Sequence, residues 1–268
     1  MLAQLRQQAI LERIRRTGGA RVAELVRDLG VSDMTIRRDL EALAERGLVE
    51  KVHGGATISG AGSTEEPGFS TKSARQQAEK EAIARRAARL VRPGSSVALS
   101  AGTTTWTAAR HLADVPELTV ITNSLKVADV FHRSGRPDQT VVLVGGVRTP
   151  SDALVGPVAV AAIRSLNVDV LLLGVHGMNV RAGFTTPNLL EAETDRELVG
   201  SAQRLVVLAD HSKWGTVGIS TIAQLDRADV VVSDTGLPAE ARAELSERVG
   251  ELVLADPSEP NERAEPTA

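Results

Sequence analysis

The chain has 268 residues, no cysteine and a net charge of −3. This length suffices for one large domain or two smaller ones. The lack of cysteine excludes disulfides, cysteine-based catalysis and cysteine-type zinc sites. The longest apolar runs, such as Val168–Val175, are too short to span a bilayer, and residues 2–16 lack the uninterrupted apolar stretch of a signal peptide. We therefore expect a soluble cytoplasmic protein that makes no membrane contact.

The charge is unevenly distributed along the chain. Residues 1–56 contain ten basic and eight acidic residues, a net of +2, which leaves −5 for the remainder. A weakly basic N-terminal part on an acidic body is compatible with DNA binding. A solvated helical surface would carry the same charges, so the distribution does not decide between these interpretations.

Three helical patterns occupy the first fifty residues, at about Leu2–Arg16, Val22–Leu29 and Asp33–Arg46. In the third, Ile36, Leu40 and Leu43 have the spacing of one buried helix face. Gly30 ends the second helix, and Ser32 can cap the third by accepting a hydrogen bond from a free backbone amide. Residues 48–58 have the pattern of a short β-hairpin. The sequence thus predicts a winged helix-turn-helix domain over residues 1–58, which we call the head.

A helix-turn-helix places its second helix in the major groove of double-stranded operator DNA. An arginine there can donate two hydrogen bonds to guanine or pair with phosphate. The expected DNA-binding residues lie on that helix and in the hairpin: Ser32, Met34, Thr35, Arg37, Arg38, Lys51 and His53. Two alternatives stay open. The arginines could merely solubilise the helix, or the helix pair could contact only protein, in which case the steep salt dependence of DNA binding would be missing.

Three further segments follow the head. Residues 59–70 are rich in Gly, Ser, Thr and Glu, which is typical of a linker. Residues 71–255, which we call the body, begin with a long helix predicted from about Thr71 to Val91. The tail, residues 256–268, has three prolines among acids and is expected to be disordered.

Short apolar runs alternate with helical stretches through most of the body. The runs are Val97–Leu99, Leu118–Thr122, Thr140–Val144, Asp169–Val175, Leu205–Ala209, Val230–Ser233 and Leu252–Leu254. The helical stretches are Thr104–Leu112, Leu125–Arg133, Pro157–Leu166 and Leu189–Gln203. Continuous rather than alternating apolar strands indicate a sheet covered on both faces. The sequence therefore predicts an α/β domain with a mainly parallel sheet.

Small and polar residues follow several of these strands. Loops at the carboxyl ends of parallel strands converge on one crevice, where ligands bind. The loop before Thr104 opens a helix whose free amides favour phosphate, and Lys213 could add a cation. The expected effector-binding residues are Ser100, Ala101, Gly102, Thr103, Thr104, Thr105, Thr122, Asn123, Ser124, Gly145, Gly146, Gly177, Asp210 and Lys213. Taken singly, each loop could equally be a tight turn or a helix cap with no ligand.

Two sets of motifs resemble one known family. In the head, the stretch Val31-Ser32-Asp33-Met34-Thr35-Ile36-Arg37-Arg38-Asp39-Leu40, followed by His53-Gly54-Gly55-Ala56, resembles the signature of the DeoR family of bacterial transcription regulators. In the body, Ala-Gly-Thr-Thr-Thr at 101–105, Ile-Thr-Asn-Ser at 121–124 and Asp-His-Ser-Lys-Trp-Gly at 210–215 are similar to motifs of the family's C-terminal sensor domain.

The resemblance implies a body related in fold to ribose-5-phosphate isomerase and a phosphorylated sugar or related metabolite as effector. It also implies that Gly102–Thr105 and Lys213 surround the phosphate, while Asn123 and Gly146 line the pocket. Two positions depart from the family pattern. Lys51 stands where arginine is commoner, which removes a bidentate contact. Ser100 stands where many members have aspartate, so the ligand could differ from the usual sugar phosphates.

The rival interpretation is an isomerase-like sugar-phosphate enzyme with an accessory helix-turn-helix. Proton abstraction needs a positioned base, but Glu191 and Glu193 have the pattern of helix-surface charges. His176 and His211 stand alone in the sequence, with no partner at metal-ligand spacing. We therefore expect a repressor of carbohydrate-metabolism genes, with no catalytic residue, metal or cofactor. It would act as a homodimer or homotetramer on repeated half-sites.

Overall fold

The structure is a computed structural model that describes residues 3–17, 19–45, 48–52, 54–58 and 68–259. The chain divides into two compact units, residues 1–65 and 66–268. The first unit contains the head and the second contains the body. None of the described helices has the length and apolar character needed to cross a bilayer.

The head combines three helices with a three-stranded antiparallel sheet. The helices are α1 (Ala3–Thr17), α2 (Val22–Leu29) and α3 (Asp33–Glu45), and the strands are β1 (Gly19–Arg21), β2 (Val49–Val52) and β3 (Gly55–Ile58), in the order β1-β3-β2. The three predicted helices and the hairpin are confirmed. Strand β1 was not predicted, because three residues are too few to show a periodicity. It approaches β3 so closely that a Cβ atom on Gly55 would lie 2.4 Å from the carbonyl oxygen of Ala20.

The core of the head contains the apolar residues that the helical spacing predicts. Its largest fully buried side chains are Ile10, Ile14, Leu25, Ile36, Leu40 and Leu43. Burying one such side chain contributes about 1.5–3 kcal/mol. Helix α2 ends at Gly30, whose φ of 65° is left-handed and whose N–H donates to the Val26 carbonyl at 3.0 Å. The turn that separates α2 from α3 is thus fixed by a glycine cap.

The prediction of a single helix from Thr71 to Val91 is wrong. The segment forms two helices, α4 (Phe69–Ser73) and α5 (Gln77–Ala88). The break falls at Gln76, whose φ of 48° and ψ of 48° are left-handed, a conformation that costs a non-glycine residue energy. Helix α4 also begins inside the predicted linker, of which residues 59–67 lie outside the described part.

A seven-stranded parallel sheet forms the centre of the body. Its strands are β4 (Ser96–Leu99), β5 (Thr119–Thr122), β6 (Thr140–Leu143), β9 (Val168–Gly174), β12 (Ala202–Leu208), β14 (Val230–Asp234) and β15 (Glu251–Ala255). Every predicted apolar run is one of these strands, so the parallel α/β prediction is confirmed. Ala98 belongs to one buried apolar cluster, and Val97 and Leu99 belong to another. Since alternate residues enter different cores, the sheet is covered on both faces.

The strand order is β15-β14-β12-β9-β4-β5-β6. From β4 the chain adds strands in one direction as far as β6, and then returns to β9 and proceeds in the other direction. The carboxyl ends of β4 and β9 therefore form the switch point at which open parallel sheets bind ligands.

The remaining elements cover this sheet or extend it. The helices are α6 (Thr103–Leu112), α7 (Leu125–Ser134), α8 (Pro157–Arg164), α9 (Leu189–Ser201) and α10 (Ala239–Arg248). Two small antiparallel ladders were not predicted: β7 (Val147–Arg148) with β8 (Leu154–Val155), and β11 (Gly183–Thr186) between β10 (Gly177–Asn179) and β13 (Ser220–Ala223). Of the tail, residues 256–259 form a turn, and the rest lies outside the described residues.

Candidate nucleic-acid interface and small-molecule site

The N-terminus of α3 is capped as the sequence predicts. The Ser32 hydroxyl oxygen accepts a hydrogen bond from the Thr35 backbone N–H at 3.2 Å and lies 2.8 Å from the Thr35 hydroxyl. The Ser32 carbonyl accepts from the same N–H at 3.0 Å. The cap fixes where the helix begins and so fixes which side chains share its outer face.

Helix α3 has one buried and one exposed face. Ile36 and Leu40 are buried, whereas Arg37 and Arg38 are exposed and Met34 is 72% exposed. The predicted outer face is therefore open in the folded head. A recognition helix needs this arrangement, because a groove can only meet side chains that point away from the core.

The two arginines on that face differ in their surroundings. The Arg37 Nε donates to Asp33 Oδ1 at 2.5 Å, one helical turn away. Arg38 makes no hydrogen bond or ion pair with a described residue. Since an exposed ion pair contributes little, DNA phosphate can compete for Arg37, and Arg38 needs no partner exchange at all.

Sequence reasoning missed a buried carboxylate on the inner face of α3. Asp39 accepts hydrogen bonds from Arg6 Nη2 and Gln7 Nε2 of α1, each at 3.2 Å, and Arg6 Nε lies 2.5 Å from its other oxygen. Asp39 lies three residues after Ile36, a spacing that places it on the inner face, and this was the available signal. The contact joins α1 to α3.

The DNA contacts expected of the two hairpin residues, Lys51 and His53, stay predictions. Lys51 lies in β2, at a register opposite Ala56 of β3. His53 lies outside the described residues. The wing itself is present, but the contacts of these two side chains are not part of what the structure describes.

In the body, the predicted loops meet at the switch point of the sheet. The Ala101 N–H donates to Asn123 Oδ1 at 2.8 Å, and the Gly174 N–H donates to the Ser100 hydroxyl at 3.0 Å. The loops after β4, β5 and β9 are thus joined by hydrogen bonds. They therefore lie together at the carboxyl edge of the sheet, where the topology predicts a ligand-binding crevice.

Several of the predicted polar side chains hold this edge together. The Thr105 hydroxyl donates to the Ser100 carbonyl at 2.7 Å, and the Thr122 hydroxyl donates to the Leu99 carbonyl at 2.7 Å. Ser124 caps α7 by accepting from the Val127 N–H. By contrast, the Thr103 hydroxyl bonds to no described group, and neither does that of Thr104. These two stand at the N-terminus of α6, where an anion is favoured.

The predicted glycines allow close crossings of the chain. Gly146 has φ 120°, and a Cβ atom there would lie 2.5 Å from the Val155 carbonyl oxygen. A Cβ atom on Gly177 would lie 2.1 Å from the Thr216 carbonyl oxygen. Gly145 has φ 76°. The backbone therefore accounts for these glycines, whose role in lining a pocket stays a prediction.

A group of cations lies near Asp210, which follows β12 at the same edge of the sheet. Lys80 of α5 is only 5% exposed, and its Nζ donates to the carbonyls of Lys72 at 2.5 Å and Arg75 at 2.7 Å. Burial lowers the pKa of Lys80 to about 8. Asp210 opposes this shift, while the nearby charges of Lys213, Lys72 and Arg75 add to it. Lys80 thus lies close to one carboxylate, that of Asp210, and to three other cations.

That carboxylate is incompletely satisfied. Asp210 follows β12 and is fully buried; its Oδ1 accepts from the Ser212 N–H at 3.1 Å, but its Oδ2 has no hydrogen-bond partner. The Lys213 ammonium makes no hydrogen bond or ion pair with a described residue. Buried polar groups are normally satisfied, so the Oδ2 atom of Asp210 indicates a site for a polar molecule, beside the partly exposed Lys213.

The sequence reasoning found Asp210 and Lys213 but missed Lys72, Arg75 and Lys80. For Lys80 a signal existed, because the buried residues Ala84 and Ala87 follow it at helical spacing. A lysine on the inner face of a helix is rare unless it is paired. Lys72 and Arg75 carry no such signal, since only the break before α5 brings them near Lys80.

His211 is not isolated, contrary to the expectation from its sequence position. Its Nδ1 lies 2.7 Å from Oδ2 of the buried Asp234, and its backbone N–H donates to Oδ1 of Asp234 at 2.7 Å. The hydrogen bond to Asp234 raises the pKa of His211. Although burial opposes the shift, the hydrogen bonds from His211 lower the pKa of Asp234. This pair adds a further cation-forming group beside Asp210.

The two glutamates of α9 behave differently. Glu193 is exposed, as predicted. Glu191 instead accepts hydrogen bonds from the hydroxyls of Thr149 at 2.7 Å and Thr186 at 3.3 Å, so the prediction of a surface charge was wrong for it. Burial, followed by the charge of Glu191, raises the pKa of Asp195 well above its ordinary range.

Family models match both units. The DeoR C terminal sensor domain matches residues 75–235, and the DeoR-like helix-turn-helix domain matches residues 6–60. Relatives include the HTH-type transcriptional regulator YgbI of Escherichia coli, 35% identical over 93% of this chain and 97% of that protein. GlpR of Haloferax volcanii is 36% identical over 91% and 95%, and the putative aga operon transcriptional repressor of Escherichia coli O157:H7 is 31% identical over 93% of each.

Two solved structures are similar to part of the chain. Translation initiation factor eIF-2B of Pyrococcus horikoshii matches 82% of this chain and 70% of its own, with 15% identity and a TM-score of 0.40. Ribose 5-phosphate isomerase A of Methanocaldococcus jannaschii matches 50% and 53%, with 17% identity and a TM-score of 0.37. These scores are low, and the assignment of the fold rests on the strand order and the family match.

Proposed function

The chain belongs to the DeoR family of transcription regulators, and from this premise we propose that it represses genes of carbohydrate metabolism under the control of a sugar phosphate or related phosphorylated metabolite. Membership of the family makes the chain a DNA-binding regulator and not an enzyme. The putative aga operon transcriptional repressor is named as a repressor, which favours repression over activation.

The observation that carries the effector proposal is the unsatisfied pair in the body. Lys213 has a cation without a partner among the described residues, and Asp210 has a buried oxygen without a hydrogen bond. A phosphate would take the cation, and a hydroxyl group would donate to the carboxylate oxygen. A phosphorylated sugar carries both groups in one molecule, which is why we favour this class over a simple anion.

The other side of the crevice fits the same ligand. The hydroxyls of Thr103 and Thr104 and the N-terminal amides of α6 are donors that suit a phosphate or the far end of a sugar. Ser100 is fully buried and bonded to Gly174, so it shapes the loop and offers no anion to a ligand. The ligand would therefore be recognised chiefly by cations and hydroxyls.

In the head, Arg38 and Arg37 would read DNA, supported by Ser32, Met34, Thr35, Lys51 and His53. We propose that the chain acts as a homodimer or homotetramer, since two-fold symmetry matches repeated half-sites. The effector would bind better to one arrangement of the heads than to another and so shift operator affinity. Light scattering of the full chain with and without a selected duplex tests the oligomer; a monomer that binds DNA at full affinity would remove this part.

The effector proposal is tested by thermal unfolding of the full chain with a panel of phosphorylated sugars and their unphosphorylated counterparts. A specific ligand at 100 times its Kd should stabilise the fold by about 2.7 kcal/mol and raise the Tm. Lys213→Met should abolish the shift. The matched control is Arg227→Met, which removes an exposed cation at the opposite edge of the sheet and should leave the shift unchanged.

The regulatory link is tested on DNA. A duplex selected from a random pool by the full chain should lose affinity when the ligand from the panel is added. A ligand that raises Tm but leaves duplex affinity unchanged would contradict the coupling and leave ligand binding intact. If no phosphorylated compound shifts the Tm, the effector class is wrong.

A further inference from the structure

Residues 68–76, which contain α4 and the turn before α5, form a segment that we call the strap. It follows residues 59–67 directly and so is part of the only covalent path between head and body. Its first half is fixed by contacts of the Phe69 and Lys72 side chains with α6 and with the loop between β7 and β8. The Phe69 ring packs edge-on against Trp106 of α6 with ring centres 5.7 Å apart, and Lys72 Nζ donates to the Ser151 hydroxyl at 2.7 Å.

The second half of the strap is fixed by groups of the candidate effector site itself. Lys80 Nζ donates to two strap carbonyls, those of Lys72 and Arg75. Gln76 Nε2 lies 3.4 Å from His211 Nε2. The left-handed conformation of Gln76 is strained, so it depends on these surrounding contacts.

An anion bound beside Lys80 would compete with the strap carbonyls for the N–H donors of the Lys80 ammonium. An ammonium has three N–H donors, and two of those on Lys80 are used by the strap carbonyls. A hydrogen bond to a charged phosphate oxygen is roughly twice as strong as one to a neutral carbonyl. An anion bound between Lys80 and Lys213 therefore draws Lys80 Nζ away from the strap.

We propose that the strap is a ligand-controlled tether: anion binding at Lys80 and Lys213 withdraws the hydrogen bonds that hold Lys72 and Arg75, and the strap loosens. This inference rests on the proposed function, because it requires that an anion bind at this site. It adds the element that responds. A bound anion thereby changes the stiffness of the chain that leads to residues 59–67 and the head.

Hydrogen exchange of the full chain, read by mass spectrometry, tests the tether. Inorganic phosphate is added at constant ionic strength, with chloride as the balancing anion, and fructose 6-phosphate is used in a parallel series. Amides of the strap, including those of Lys72 and Arg75, should exchange roughly tenfold faster at saturation, as expected for the loss of two hydrogen bonds. Amides of residues 212–216, beside Lys213, should exchange more slowly.

The two regions separate the possible failures. If residues 212–216 slow while the strap is unchanged, an anion binds but the tether is wrong, and the proposed function stands. If neither region responds to phosphate or to the sugar phosphate, both proposals fail. A strap that exchanges more slowly on binding would also overturn the tether.

Variants sharpen the test. Lys80→Met should give a strap that exchanges fast without phosphate and does not respond to it. Lys213→Met keeps the strap bonds and should leave the strap protected, with any response moved to higher phosphate concentration. Arg227→Met should match the wild-type chain. The emission of the two tryptophans, both in the body, shows whether each variant is folded, and the wild-type titration decides the matter should a variant not fold.

Discussion

In the head, the side chains expected to meet DNA lie on the outside of one regular helix, and those that hold the helix in place lie on its inside. Met34 is exposed while Leu40, on the same helix, is buried. In the body, the charged groups of the candidate site come from α4, the turn before α5, α5 itself and the turn after β12. Two of them are buried: Lys80 is 5% exposed and Asp210 is not exposed at all.

This difference separates two ways of combining stability with function. On α3, stability and the proposed DNA recognition would be carried by different residues, so each could change without the other. In the body, the same groups must be desolvated in the fold and must also receive the ligand. Removing a functional group is therefore expected to leave the head intact but to change the stability of the body.

The largest effect should come from the inner face of α3. Leu40→Ala leaves a cavity in the core of the head and should lower its free energy of unfolding by about 2–5 kcal/mol. Hydrogen exchange of the α3 amides in the full chain measures this loss. Both tryptophans, Trp106 and Trp214, lie in the body, so their emission during urea denaturation serves as the control. A variant whose α3 exchanges at the wild-type rate would contradict the packing of this face.

The next effect concerns Lys80 and pH. Its pKa is lowered by burial from 10.5 to about 8 in the folded chain. Below pH 8 both states hold the proton, and the folded state bears the whole cost of the buried charge. Between pH 8 and 10.5 the unfolded chain binds the proton that the folded chain has lost, so the contribution of Lys80 to the free energy of unfolding rises with pH, by about 3 kcal/mol in total.

The measurement is the difference in unfolding free energy between wild type and Lys80→Met from pH 7 to pH 10.5. Tryptophan emission monitors the unfolding. The wild type should gain relative to the variant as pH rises. Lys126→Met removes an exposed lysine of α7 and should give a much smaller change, because that ammonium remains largely in water. A difference for Lys80 that is independent of pH would mean that its charge is not buried in solution.

The third effect is on DNA alone. Arg38→Ala should weaken binding to a selected duplex by about 1–3 kcal/mol if the guanidinium reads a base. The loss should be specific to sequence, and the dependence on salt should change little if no phosphate contact is lost. Arg92→Ala removes an exposed arginine of the body and is the matched control. Wild-type affinity in the Arg38 variant would argue against the proposed docking of α3.

The smallest effect concerns a helix cap, a feature that occurs in both the head and the body. Ser32 and Ser124 each cap a helix with the side-chain hydroxyl. Ser32→Ala should cost about 1 kcal/mol in the head, and Ser32→Gly only a few tenths, because glycine is itself tolerated at this position. Ser124→Ala should cost at least as much, since the hydroxyl there is buried. Equal losses for the alanine and glycine variants at position 32 would show that the cap is not the cause.

Whether a feature could be predicted from the sequence depends on whether it is fixed by local spacing or by distant partners. The helices of the head, the hairpin and the seven strands were predicted from periodicity and from residues that end an element, such as Gly30. The exposed face of α3 followed as well, because a helix's own geometry decides which residues lie opposite Ile36 and Leu40.

Elements that depend on distant partners were missed. Strand β1 exists only because β3 pairs with it, and the small sheets of the body have the same origin. The break at Gln76 has no glycine or proline to announce it. Tertiary bonds to Lys80 and His211 accompany it instead, and no local pattern contains them.

The sequence by itself determined the order of elements, the covered parallel sheet and the outer face of α3, since each depends on local spacing and on the burial of apolar side chains. Only the tertiary structure decided which charges share the crevice. Lys80 and Asp210 are 130 residues apart, and their meeting depends on how α5 packs against the sheet. The interaction energy of two charges depends on their distance in space and on the surrounding dielectric, and sequence separation specifies neither.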